Sequence, residues 1–166
     1  AAAFALALAW GIGVPIVKSR NRNWLFILLV LALGAASLAF QAFPRTALAV
    51  GLDLVLLIIA IMAGRVVPAF TNNAVRGANA RRVQWLEYAA LGSIVLLLYF
   101  DVFPRLFVTP AIALIAAALH AARLALWAPH RTAGQPILWI LHLSYAWIVV
   151  HLAMRGLAGF GVVPAV

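Results

Sequence analysis

The sequence predicts an all-α fold, a polytopic bundle of transmembrane helices. Hydrophobic residues make up 67% of the 166 residues, and only three residues are acidic. A soluble domain of this length has too little interior to bury so much apolar surface. The apolar residues also form continuous runs of about twenty, which favours membrane-spanning helices.

These runs predict five full spans and one truncated span at the amino end, within a single domain of residues 1–166. We expect the truncated span over Ala1–Val17, because residue 1 lies inside an apolar run. We therefore interpret the chain as a fragment, whose partners are the lipid bilayer and the missing amino- and carboxyl-terminal helices of the same protein. Prolines and polar connections separate the full spans. These are Trp24–Phe43, Thr46–Gly64, Val83–Phe100, Thr109–Trp127 and Pro136–Met154.

The net charge of +9 comes from arginines that cluster between the apolar runs. Such clusters indicate contact with anionic lipid headgroups and cytoplasmic connections, and they do not indicate a nucleic-acid partner. Successive connections alternate between more and fewer Lys and Arg residues. By the positive-inside rule, the first, third and fifth connections are cytoplasmic. The third is the long polar stretch Gly64–Arg82, which we expect at the cytoplasmic surface.

The stretch Gly64–Arg82 reads GRVVPAFTNNAVRGANARR. A bilayer tolerates so many polar residues only at its surface or in a polar cavity. It opens with three residues that we expect to end the preceding helix, Gly64, Arg65 and Pro68. It continues with three residues that favour side-chain hydrogen bonds to backbone, Thr71, Asn72 and Asn73. We expect Arg65 to pair with Glu87 or with an anionic group of a cofactor.

Histidines are the candidate metal ligands, because the chain contains no cysteine. His120 and His142 lie at similar depth on two spans joined by a short connection, so they are positioned to ligate one metal or a haem. Arg123, one turn from His120, would meet a propionate. The alternative is that each imidazole hydrogen-bonds to a carbonyl or side chain inside the bundle. His151 and His130 are weaker candidates, one on the opposite helix face and one in a connection.

Asp53 lies inside a predicted span, where a carboxylate is expected to face the bundle interior. It is a proton-relay group, a metal ligand or half of an ion pair, and an ion pair is the favoured interpretation. Glu87 lies near a helix amino end, where the helix dipole favours an anion. No triad, phosphate loop or other soluble-enzyme motif occurs, so the sequence leaves open whether the protein is an enzyme.

Three segments in order resemble the NnrS family of bacterial membrane proteins. They are GRVVPAFTNNA (Gly64–Ala74), LHAARLALW (Leu119–Trp127) and PILWILHLSYAW (Pro136–Trp147). The resemblance implies haem b and copper, the bacterial inner membrane, and a part in nitric oxide metabolism or the nitrosative stress response. With these cofactors, the candidate cofactor-binding residues are His120, His142, Arg123, Arg65, Asn72 and Asn73, with His120 and His142 as metal ligands.

Two other interpretations stay open at this stage. In one, the chain is part of a transporter or channel whose polar path runs near Asp53, Glu87 and Arg65. In the other, it is a scaffold with no site of its own. A visible absorption spectrum separates a haem protein from both.

Overall fold

The computed structural model describes residues 24–164, together with Leu6, Ala7, Trp10, Gly11 and Val14. Within this part of the chain all regular structure is helical, which confirms the predicted class. The helices are α1 (Trp24–Ala39), α2 (Pro44–Ala74), α3 (Gln84–Val102), α4 (Val108–Leu126), a 3₁₀ turn (Pro129–Arg131) and α5 (Pro136–Gly159).

Four of the described helices are long and apolar enough to cross a membrane. They are α2, α3, α4 with its following 3₁₀ turn, and α5. The prediction of five full spans is therefore wrong by one, because α1 has only 16 residues. It ends before Phe43, since a residue that precedes proline is disfavoured in a helix, and Pro44 then begins α2. The predicted truncated span over Ala1–Val17 lies largely outside the described residues.

The prediction that a helix ends at Gly64 is also wrong, because α2 continues through Pro68 to Ala74. Proline removes one backbone donor and disfavours the helix locally. Against this, Val67 and Thr71 lie one turn apart on the same face and are both buried. The Thr71 hydroxyl donates to the Val67 carbonyl over 2.8 Å. Burial of this face stabilises the helix beyond the proline, so the polar connection shrinks to residues 75–83.

The remaining boundaries differ from prediction by a few residues. The structure begins α4 at Val108, with Phe107 rather than Thr109 as its N-cap. It extends α5 from the predicted end at Met154 to Gly159. The structure ends α3 at Val102 rather than at Phe100, so Asp101 lies in the last turn of this helix.

The chain divides into two compact units, Ala1–Ile58 and Ile59–Val166. In the first, α1 and the start of α2 contribute buried apolar residues such as Leu29, Ala36 and Leu54. Asp53 is fully buried, as predicted for a carboxylate within a span. That all of residues 1–166 form one domain stays a prediction.

In the second unit, α4 packs against both α3 and α5. Two glycines of α5 permit the close approach to α4. A Cβ on Gly156 would lie 2.6 Å from the Leu114 side chain, and a Cβ on Gly159 would lie 2.7 Å from the Pro110 ring. Small residues let membrane helices pack backbone to backbone in this way. This packing fixes the polar side chains of α3, α4 and α5 relative to one another.

Large apolar side chains cover the outside of these helices. They include Leu96, Tyr99, Ile115, Leu143, Trp147 and Val150, each of which is exposed. An exposed apolar surface of this extent is unusual for a soluble protein and suits lipid acyl chains. The helices thus fit a bilayer environment.

Candidate functional site

Four polar side chains from α3, α4 and α5 form one buried network, and Arg123 is its centre. The guanidinium binds the Glu87 carboxylate with two parallel hydrogen bonds, Nε to Oε1 at 2.8 Å and Nη2 to Oε2 at 2.6 Å. The Arg123 side chain is only 1% exposed. Bidentate pairing of this kind fixes both side chains as well as neutralising them. Arg82, half exposed, contacts the same carboxylate at 3.6 Å.

The network continues from Arg123 through Tyr145 to His120. Arg123 Nη1 donates to the Tyr145 hydroxyl oxygen over 2.9 Å. That hydroxyl lies 2.6 Å from His120 Nδ1, and His120 Nε2 lies 3.1 Å from the Ala90 carbonyl oxygen. A carbonyl can only accept, so Nε2 carries the proton and Nδ1 accepts from Tyr145. Every polar group along this path then has a partner, which a low-dielectric interior requires.

Trp127 packs against the network at the carboxyl end of α4, next to the connection to α5. Its ring is fully buried and lies 4.6 Å from the Tyr145 ring, centroid to centroid. The Arg123 guanidinium carbon lies 5.1 Å from the Trp127 ring centroid, within cation–π range. Within the described part of the chain, the indole N–H has no hydrogen-bond acceptor. Trp127 therefore contributes packing and charge stabilisation to the cluster.

The backbone of α2 reaches the network at Gly64. A Cβ at this position would lie 1.7 Å from Arg123 Nη2 and 2.8 Å from Glu87 Oε2. A side chain at this position would require the guanidinium to move, which its hydrogen bonds to Glu87 and Tyr145 oppose. Gly64, which the sequence suggests as a helix end, is instead a contact point between α2 and the ion pair.

His142 lies on α5 one turn before Tyr145, and it is 3% exposed. Its Nδ1 lies 2.9 Å from the Leu138 carbonyl oxygen, and its Nε2 lies 3.3 Å from the Trp127 carbonyl oxygen. A neutral imidazole has one N–H and can donate to only one of them. The shorter contact favours Nδ1–H on Leu138, which leaves the Nε2 lone pair facing an acceptor. A ring with a proton on both nitrogens would donate to both carbonyls, and a metal ion at Nε2 would also resolve the conflict. An Nδ1–H bond to a carbonyl is the usual support for a histidine that ligates a metal.

The three segments that resemble one family meet at this network. Gly64 comes from the first segment, His120, Arg123 and Trp127 from the second, and His142 and Tyr145 from the third. Comparison with protein-family models gives a match to the family described as NnrS protein, over residues 1–166. The chain belongs to the NnrS family. No curated protein and no solved structure matches it.

In this NnrS chain Glu87 pairs with an arginine that the sequence does not assign to it. The structure puts Arg123 on the Glu87 carboxylate, with Arg82 at longer range. Arg65 is an exposed residue of α2. That Arg65 meets Glu87 or an anionic group of a cofactor stays a prediction.

Asn72 confirms the prediction that the polar stretch folds back through side-chain to backbone hydrogen bonds. Its amide nitrogen donates to the Ala80 carbonyl over 2.9 Å, and the Ala80 N–H donates to its oxygen over 2.8 Å. The Arg81 N–H donates to the Leu126 carbonyl over 2.9 Å, which ties the same connection to the end of α4. Asn73 is exposed beside it. Residues 75–83 thus form a short connection that hydrogen bonds hold to α2 and to the end of α4.

Of the predicted metal ligands, His142 fits a metal better than His120. Both ring nitrogens of His120 have complementary partners, so ligation by His120 requires Tyr145 or Ala90 to give way. The three nitrogens of Arg123 are likewise held by Glu87 and Tyr145. Among the described residues, no group of three or more His, Cys, Asp or Glu side chains is arranged to hold a metal ion. Tyr145, which joins His120 to Arg123, is not among the site residues predicted from the sequence.

Proposed function

We propose that this chain is part of a haem- and copper-containing protein of the bacterial inner membrane that acts in nitric oxide metabolism or the nitrosative stress response. The family match over residues 1–166 supports a role of this kind. The observation that carries the proposal is the His142 ring, whose Nε2 faces the Trp127 carbonyl while Nδ1 is held by the Leu138 carbonyl.

His142 is the proposed ligand from this part of the chain. Haem iron or copper, when bound, supplies one-electron redox chemistry and an open coordination position for a diatomic ligand. The chain's own contribution is positioning: the Leu138 carbonyl orients the imidazole, and the ion pair of Glu87 with Arg123 holds α3 against α4. His120 is a second proposed ligand only if its bonds to Tyr145 and Ala90 open.

The other proposed cofactor contacts are polar groups near the network. Arg123 lies at its centre and would reach an anionic substituent only by leaving Glu87 or Tyr145. Arg65, Asn72 and Asn73 lie on α2, and all three are exposed. We propose all three as contacts for a propionate, which Asn72 would meet only by releasing Ala80.

A visible absorption spectrum of the full-length protein tests the proposal. We expect a Soret band in the purified protein and copper by elemental analysis. His142→Ala should lower the haem or the copper content, while His130→Ala, in the 3₁₀ turn, should leave both unchanged. A protein without Soret band and without copper contradicts the proposal, and so does an unchanged cofactor content in His142→Ala.

The proposed orientation places residues 75–83 in the cytoplasm. The basis is the concentration of Arg76, Arg81 and Arg82 in this connection, since positively charged connections stay on the cytoplasmic side. A reporter fused after Asn79 tests it. Activity of a periplasmic reporter at this site would reverse the orientation.

Transport through a polar path is the second candidate, and it is less well supported. Its three residues are Asp53, Glu87 and Arg65, but Glu87 is held in a bidentate ion pair and is not available to a passing ion. Substrate uptake into liposomes containing the purified protein, abolished by Glu87→Gln, would favour transport over the haem proposal.

A further inference from the structure

A second polar cluster lies at the end of α3, α4 and α5 that is remote from residues 75–83. Asp101, in the last turn of α3, forms an ion pair with Arg155 of α5. These two side chains line a cleft of about 570 Å³ together with Arg105 and Thr109. Clefts of this size accommodate small ligands or headgroups. The network around Arg123 uses none of these residues.

The charge of the cleft favours an anion. Asp101 and Arg155 neutralise each other, and their side chains are 6% and 23% exposed. Arg105 is exposed at the rim, and within residues 24–164 the structure records no acceptor for its guanidinium. Two arginines against one carboxylate leave one positive charge. The carboxyl ends of α3 and α5 add two partial negative charges and the amino end of α4 adds one partial positive charge. The helix ends together leave about half a negative charge, which is less than the full charge of one arginine.

The walls and depth of the cleft favour an amphiphile. Phe100, Leu106 and Pro110 supply apolar walls beside the arginines. The 19 residues of α3 span about 28 Å, so Asp101 lies at the level where hydrocarbon meets headgroups. An occupant with an anionic head and an apolar body meets both parts of the lining.

We propose that this cleft binds a phosphate diester, the headgroup of an acidic phospholipid, through Arg105 and Arg155. The planar guanidinium forms paired hydrogen bonds with phosphate oxygens. The Thr109 oxygen lies 3.4 Å from the Arg105 backbone nitrogen, whose N–H it accepts, so the hydroxyl hydrogen is free to donate to the phosphate. Asp101 acts as a positioning residue, because it holds Arg155 against the cleft wall.

The test is titration of the full-length protein in neutral detergent with short-chain phosphatidylglycerol, followed by native mass spectrometry. Phosphatidylcholine of the same chain length is the neutral lipid, and glycerophosphoglycerol is the same phosphate diester without acyl chains. We expect Arg105→Gln to weaken phosphatidylglycerol binding about tenfold, the value of one charge-assisted contact. Asp101→Asn combined with Arg155→Gln, which removes both buried charges together, should weaken it similarly.

Arg76→Gln is the matched control, because Arg76 is an exposed arginine on the connection at the other end of the helices. It should bind phosphatidylglycerol like the parent protein. Weaker binding of glycerophosphoglycerol than of phosphatidylglycerol assigns the site to a lipid, and equal binding assigns it to a soluble phosphate diester. Equal binding of phosphatidylcholine, or Arg105→Gln indistinguishable from Arg76→Gln, overturns the proposal. Arg105 is at the rim, so its variant tests the idea even if the double variant does not fold.

Discussion

The α carbon of Gly64 lies directly against the guanidinium of Arg123, with no room for a methyl group between them. A Cβ built on Gly64 would lie 1.7 Å from Arg123 Nη2. The same guanidinium binds Glu87 with two hydrogen bonds and Tyr145 with a third. The ion pair between α3 and α4 thus also fixes how closely α2 approaches them.

Gly64→Ala should destabilise the protein by about 1–3 kcal/mol, the usual range for overpacking a well-packed interior. The guanidinium would have to leave Glu87 or Tyr145 to admit the methyl group. Gly92→Ala in α3 is the control, since a Cβ on Gly92 meets nothing within 4 Å. Thermal unfolding in detergent should show a lower Tm for the first variant and an equal or higher Tm for the second. Equal Tm shifts in Gly64→Ala and Gly92→Ala would mean that α2 at Gly64 is not in close contact with the ion pair.

Glu87→Gln should destabilise the protein by about 3–5 kcal/mol, because it leaves the buried Arg123 charge without its partner. Combining it with Arg123→Gln removes both charges and should recover part of the loss. The control is Arg82→Gln, whose side chain is half exposed and 3.6 Å from the carboxylate. An exposed pair of this kind contributes at most about 1 kcal/mol. A double variant less stable than Glu87→Gln would contradict the central role of the charge balance.

Tyr145→Phe should cost about 1–3 kcal/mol, since it leaves His120 Nδ1 and Arg123 Nη1 without a partner. Ring packing against Trp127 is retained, so the loss measures the hydroxyl alone. Tyr99→Phe, at an exposed tyrosine of α3, should change the Tm little. The tautomer makes a second prediction: a nitrogen-15 spectrum of His120 should show the proton on Nε2. A proton on Nδ1 would reverse the direction of the hydrogen bond to Tyr145.

Asn72→Ala should loosen the connection between α2 and α3, because two hydrogen bonds to Ala80 disappear. We expect faster amide hydrogen exchange at residues 78–81 and a loss of about 1 kcal/mol. Asn73→Ala removes an exposed amide from the same turn and is the matched control. If both variants exchange at the same rate, the Asn72 side chain does not fasten the connection.

The spans after Gly64 are predicted from sequence to within a few residues. The predicted span Val83–Phe100 corresponds to α3, Gln84–Val102, because proline and arginine bound the apolar run on both sides. The end of α2 is not predictable in this way. Glycine and proline have low helix propensity, so Gly64 and Pro68 predict a helix end. The burial of Val67 outweighs this low propensity, and it depends on tertiary contacts that the local sequence does not show.

Only part of the candidate site is predictable from the sequence. His120, Arg123 and His142 are predicted site residues, but Tyr145, which joins His120 to Arg123, is not. Depth along a helix follows from counting residues, and rotation about the helix axis does not. Rotation brings Arg123 to Glu87 and turns His120 toward Tyr145.

The polar network also sets an order of assembly during synthesis. Glu87 emerges from the ribosome 36 residues before Arg123, and Arg123 emerges 22 residues before Tyr145. Each of α3, α4 and α5 thus enters the membrane with a polar group whose partner lies on another helix. For α3 that helix has not yet been synthesised, and for α5 it has already been inserted. Such helices partition poorly one at a time, since an unpaired charge opposes release into lipid. The three helices are therefore expected to stay beside the translocon until α5 arrives, and to leave it together.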